Sequence, residues 1–95
     1  MAAPAQTVAL ALRGPISRAD LPDLCKRVGA VLEESGADVI VCDVAKAEPD
    51  AVTLDALALV RLAARRHGCD ARVRGASGEL IALLDFAGLR DVLAA

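Results

Sequence analysis

Val39-Ile40-Val41-Cys42 runs four apolar residues, three of them β-branched, straight into Asp43. β-Branched side chains favour extended backbone. An unbroken apolar run, unlike an alternating one, suits a strand buried on both faces, so 39–42 reads as the central strand of an α/β sheet. Upstream, Leu21, Leu24, Val28, Val31 and Leu32 recur at helical spacing, while Asp23, Lys26, Arg27, Glu33 and Glu34 face elsewhere. Ser17 or Asp20 can cap this helix, and Gly36 is placed to stop it. Before it, Thr7-Val8-Ala9-Leu10-Ala11-Leu12 reads as a strand that Arg13-Gly14-Pro15 breaks.

Downstream of Asp43, residues 44–52 are irregular, with Lys46, Glu48 and Pro49 interrupting any period. A helix follows from Leu54 to His67, with an expected buried stripe of Leu54, Leu57, Ala58 and Leu62 and with Ala64 nearby. Arg61, Arg65 and Arg66 load its last turns, as the helix dipole favours, and Gly68 ends it. Cys69 to Arg74 sets Ala71 and Val73 against Arg72 and Arg74, a strand with one wet face. Ser77 can cap a last helix with Leu80, Ile81, Leu83 and Leu84 on its buried side; after the Gly88-Leu89 turn, Val92-Leu93 should pack back. Strand and helix alternate throughout. That order predicts a small α/β domain with a mostly parallel sheet of about four or five strands and three to four helices packed on it.

The chain has 95 residues, one domain's worth, and residues 1–95 read as a single unit with 1–6 frayed. Apolar residues make up 56% and charged residues 25%, enough to build one core. Phe86 is the only aromatic, which leaves nothing for an aromatic cage or for a platform that stacks bases. Net charge is −2, so no nucleic acid is expected as a partner. No uncharged stretch approaches the ~20 residues a membrane helix needs, and the first residues do not resemble a signal peptide, so no membrane insertion and a cytoplasmic location are expected.

Catalytic and cofactor signatures are missing. The sequence holds no nucleophile elbow, no GxxxxGK[ST], no GxGxxG and no HExxH, so no catalytic residue and no cofactor are expected. Asp43, Asp50 and Asp55 match no metal-loop spacing and read as strand-end and capping carboxylates, so no metal is expected. His67, beside Gly68, reads as a helix cap. Cys25, Cys42 and Cys69 contain no CxxC pair and read as reduced thiols acting as small apolar residues.

Residues 39–68 taken in order carry the functional signal. An apolar strand ends in Asp43; an irregular stretch follows; Asp50-Ala51-Val52-Thr53-Leu54 then opens a helix that closes at Arg65-Arg66-His67-Gly68 before a strand. This resembles the STAS domain, the family of anti-sigma factor antagonists and of the cytoplasmic tails of sulfate transporters. There an Asp-Ser-x-Gly-Leu motif opens the corresponding helix. Val8 to Gly14 is similar to the family's first strand and its closing Gly. Leu80, Leu83, Leu84, Gly88, Leu89, Val92 and Leu93 are similar to its last helix and tail. The resemblance spans about residues 7–93 and implies a STAS-like fold.

The resemblance also implies a function. In the regulated antagonists a serine or threonine follows the motif Asp, and its phosphorylation by a kinase-type anti-sigma factor releases the complex. Asp50 here takes the Asp position and Ala51 the acceptor position, so the usual hydroxyl is missing. Thr53 is the candidate displaced phosphoacceptor, against the plainer reading that it caps the helix. The partner-binding surface implied is Asp50, Ala51, Val52, Thr53 and Leu54, and the partner an anti-sigma factor or another histidine-kinase-like ATPase. The alternative is a STAS scaffold subunit in a larger assembly such as a lipid-transport complex. A third class, a small redox protein using Cys42 or Cys69, is disfavoured, because neither has a Lys, His or second Cys at a motif spacing.

Overall fold

The computed structural model describes residues 6–93. The order is β1 (Thr7–Arg13), a 3-10 turn η1 (Arg18–Asp20), α1 (Leu21–Ser35), β2 (Val39–Lys46), α2 (Ala51–Arg66), β3 (Asp70–Arg74), α3 (Gly78–Phe86) and a second 3-10 turn η2 (Arg90–Leu93). The strands form one sheet in the order β1-β2-β3, both pairs parallel, with β2 in the middle. Thr7 pairs with Val39 and Val39 with Asp70; Leu10 pairs with Cys42 and Cys42 with Val73. Parallel neighbours need a crossover, and α1 and α2 supply the two.

The fold class is the expected one, but the sheet is narrower. Among the described residues it has three strands, not four or five. No further segment has a run of β-branched or alternating residues that could pair outside β1 or β3, and η2 packs on β3 in place of another strand. The expected fraying of residues 1–6 lies mostly outside the described residues. Gln6 itself is anchored: its carbonyl accepts the Asp38 and Val39 N–H groups at 2.9 and 3.1 Å, and its N–H donates to the Asp38 carboxylate.

Burial along β2 corrects the two-sided reading of 39–42. Ile40, Cys42 and Val44 are buried, whereas Val39, Val41 and Asp43 on the opposite side are only half-buried. The helices therefore cover one face. On it, Val8, Ile40 and Ala71 form one cross-strand row and Leu10, Cys42 and Val73 the next. The other face carries Ala9, Val41 and Arg72, flanked by Ala11, Asp43 and Arg74. The short side chains of β1 and the charged ones of β3 leave it wet, and Ala71 and Val73 face the core while the arginines point away, as their alternation required.

Helix boundaries follow local chemistry. Gly36 sits at the C-cap of α1 with φ of 59°, the left-handed conformation that glycine adopts without a Cβ penalty. Ser17 heads η1 and Asp20 heads α1, and the Asp20 carboxylate accepts both the N–H and the hydroxyl of Ser17. Ser77 caps α3, its oxygen accepting the Leu80 N–H at 3.2 Å. His67 is the C-cap of α2. Leu24, Val28 and Leu32 of α1 are buried, but Val31 lies outside the stripe. Leu80 and Leu84 anchor α3, with Leu83 half-buried and Ile81 exposed, and Val92 in η2 packs into the core.

The register of α2 differs from the expected stripe. Its buried line is Thr53, Ala56, Leu57, Val60, Ala63 and Ala64. Leu57 and Ala64 lie in it as expected, whereas Leu54 and Ala58 are half-buried and Leu62 is 46% exposed. Leu57 is 2% exposed at the centre of the line. Leu57→Ala should cost about 2–5 kcal/mol, the range for a truncated core leucine. Leu62→Ala, on the opposite side, should cost less than about 1 kcal/mol. Chemical denaturation of the two variants checks both.

Candidate functional site

All three strands run parallel, so their C-terminal ends, near Arg13, Lys46 and Arg74, lie at one end of the sheet. The mouth of α2 opens there. Gly14 follows β1 so closely against the loop after β2 that a Cβ on it would lie 2.8 Å from the Glu48 nitrogen. Its N–H donates to the Lys46 carbonyl at 3.0 Å. Only glycine allows that approach, which seats the 47–50 loop ahead of α2.

Asp50 is the N-cap of α2, with extended backbone. Its Oδ1 accepts the Thr53 N–H at 2.9 Å, and its carbonyl accepts the Leu54 N–H. The Thr53 N–H first, and then the Thr53 hydroxyl and the Val52 N–H, hold the Asp50 carboxyl below its ordinary value. Thr53 is therefore not the cap, a correction to the plainer reading of it: a carboxylate three residues earlier already uses the donor a cap would satisfy. Thr53 is 0% exposed, and its hydroxyl meets no partner in good hydrogen-bond geometry, the Asp50 carboxylate being the acceptor that lies beside it. A kinase cannot reach that hydroxyl while the helix is formed, which tells against Thr53 as a displaced acceptor. Ala51, at the acceptor position, is exposed.

Of the five residues Asp50 to Leu54, the fold brings Asp50 and Ala51 to the mouth, leaves Val52 and Leu54 half-buried, and removes Thr53 to the core. Sequence reasoning missed what continues from them. Ala51, Asp55, Ala58 and Leu62 fall on one line of α2, opposite the buried one. Three of these four side chains are apolar and small or exposed. Asp55 is held by Arg18 of η1. The spacing of Leu54, Ala58 and Leu62 is visible in the sequence, but Val60 and Ala63 occupy the core stripe it suggests.

The other candidate groups are each committed elsewhere. Asp43 accepts the Ala45 N–H at 3.0 Å and meets Arg74 at 3.5 Å; that N–H first, and the nearby arginines after it, hold its carboxyl below the ordinary range. Asp43, Asp50 and Asp55 thus have separate partners, and among the described residues no three metal-binding side chains gather. Burial pushes the Cys42 thiol up to about 12, and burial with Asp70 beside it pushes Cys69 up as well. A raised thiol is a poor nucleophile at neutral pH. No described helix is long and apolar enough to cross a membrane.

No protein-family model matches the chain, and no curated protein matches it in sequence. Its structure is similar to the crystal structure of a sulfate transporter family protein from Wolinella succinogenes. The TM-score is 0.68 at 20% identity, over 99% of this chain and 76% of that one. The fold is thus a small STAS-like one, and at that identity the likeness speaks for the fold alone.

Two outcomes follow from the mouth of α2. Thr53→Val removes, at nearly constant volume, a buried hydroxyl whose nearest acceptor, the Asp50 carboxylate, it meets in poor geometry. It should stabilise by about 1 kcal/mol, a rise in Tm of roughly 4–8 °C for a domain of this size; a fall would mean that the hydroxyl is bonded in solution. Asp50 has a folded pKa below its unfolded one, so its contribution is present above the unfolded value, near 3.9, and is lost as pH falls through the folded value. Asp50→Asn should keep much of the cap but flatten that acid-side loss, seen in thermal melts between neutral pH and about pH 2.

Proposed function

We propose that the chain is a non-enzymatic protein-binding module that docks a partner protein through the mouth and outer line of α2, as a standing contact without a phosphorylation switch. The observation that carries this reading is the surface itself: exposed Ala51 where the STAS resemblance expects a phosphoacceptor, with Ala58 and Leu62 continuing the line and the hydroxyl two residues on, Thr53, buried. Small side chains let a partner backbone approach, and Asp50 offers a charged anchor beside them.

A scaffold subunit in a larger cytoplasmic assembly fits this best. The anti-sigma antagonist reading uses the same surface but needs a release step, and Ala51 supplies no hydroxyl for one. Capture from the source cell separates the two: a transporter ATPase supports the scaffold, a histidine-kinase-like ATPase the antagonist.

Ala51→Glu tests the surface itself. The substitution should leave the melt unchanged or slightly raised, because an acidic group in the first turn is favoured by about 0.3–1 kcal/mol. It should weaken partner binding at least 10-fold, about 1.4 kcal/mol, because the new charge must be desolvated against the partner. Titration of wild type and variant against the captured partner checks it; equal affinities would place the interface elsewhere.

A further inference from the structure

The two edges of the sheet are not alike. Along a strand, successive residues direct their N–H and C=O groups to alternate edges. The Gln6 carbonyl and the Gly14 N–H both bond into the β2 side. Even-numbered residues of β1 therefore face β2, and Thr7, Ala9, Ala11 and Arg13 direct their main-chain groups outward. Among the described residues no strand pairs with that outer edge. β3, by contrast, packs against η2. Edge strands are commonly blunted by proline or inward-pointing charge, and β1 has neither before Arg13.

Beside this edge lies a groove of about 520 Å³ between the end of β1 and the start of α1. Leu12, Ile16 and Leu24 give it apolar walls, and Arg13, Lys26 and Arg27 rim it. None of these three cations makes an ion pair among the described residues; every ion pair found involves other arginines. Two carboxylates also line the groove. Asp20 is occupied by the N–H and hydroxyl of Ser17, and Asp23 stands in the first turn of α1, where the helix dipole favours it. The lining thus carries three cations against two carboxylates, an excess of one positive charge on a protein whose net charge is −2.

We propose that the outer edge of β1, with the adjoining groove, binds an extended acidic segment of a partner protein as an added strand. The segment's main chain pairs with the outward groups of Thr7, Ala9, Ala11 and Arg13. Its alternate side chains meet the apolar groove, and its carboxylates meet Arg13, Lys26 and Arg27. In strand addition the main-chain bonds supply affinity and the side-chain contacts supply choice of partner. This surface is distinct from the outer line of α2, and the inference does not rest on the family resemblance.

The test uses a fluorescently labelled, end-blocked decapeptide of alternating Glu and Val, and its Lys-Val counterpart, titrated against the full chain. The Glu peptide should bind at least 10-fold more tightly than the Lys peptide, and should slow hydrogen exchange at the Ala9 and Ala11 amides. Ala9→Pro removes an outward N–H that β2 does not use, and should weaken the Glu peptide at least 10-fold. The joint reversal Arg13→Glu, Lys26→Glu and Arg27→Glu should invert the preference between peptides; being on the surface, it keeps the test intact if the proline variant fails to fold. Equal binding of both peptides, no binding of either, or protection confined to amides outside β1 would overturn the proposal. So would a dimer in sedimentation that Ala9→Pro dissolves, because a second copy would then occupy the edge.

Discussion

The parallel pairing of β2 with a strand on each side constrains nearly everything else in this molecule. Parallel neighbours cannot be joined by a tight turn, so each pairing forces a helix to cross back over the sheet. With two such crossovers, both landing on the face of Ile40, Cys42 and Val44, the core becomes one layer of helices on one side of one sheet. The same constraint gathers the three strand ends. There Gly14 lies against the loop that leads into α2, and Asp50 begins that helix. The position of Ala51 on the surface is thus a consequence of strand direction, several steps removed from its own side chain.

The order of elements was legible because short-range chemistry writes it. Gly36 needs a positive φ to end α1, Ser77 caps α3 through its oxygen, and the β-branched run at 39–41 will not settle into a helix. The facing of α2 was not. Apolar residues occupy most of its circumference, so Leu54, Ala58 and Leu62 form as good a stripe on paper as Val60 and Ala63 do. Packing against α1 and the sheet chose between them. The one-sided covering of β2 is hidden for a related reason: an unbroken apolar run is compatible with one covered face when the strands beside it present small Ala9 and Ala11 on one side and charged Arg72 and Arg74 on the other, none of which calls for a second layer.

The candidate site divides the same way. That Asp50 stands at a helix mouth with Ala51 after it was readable from order and spacing. That Thr53 is sealed in the core was not, because a threonine in a first turn is as often a surface residue, and only the angle of α2 against the sheet decides. Its poorly bonded hydroxyl is a local conflict between sequence and packing, of the kind that concentrates near sites under constraints other than stability.

The register of the sheet also bears on how the chain reaches its fold. Thr7 pairs with Val39, and Val39 with Asp70, so the two strand pairings span nearly equal lengths of chain, each with a whole helix inside the loop. Closing either loop carries about the same entropic penalty, and neither pairing is local enough to form early by proximity. The search is instead shortened by α1 and α2, each of which condenses much of the intervening chain into a rod as it forms. A sheet with no hairpin thus leaves its helices to organise the folding transition state, with β2 as the template on which both outer strands are laid down.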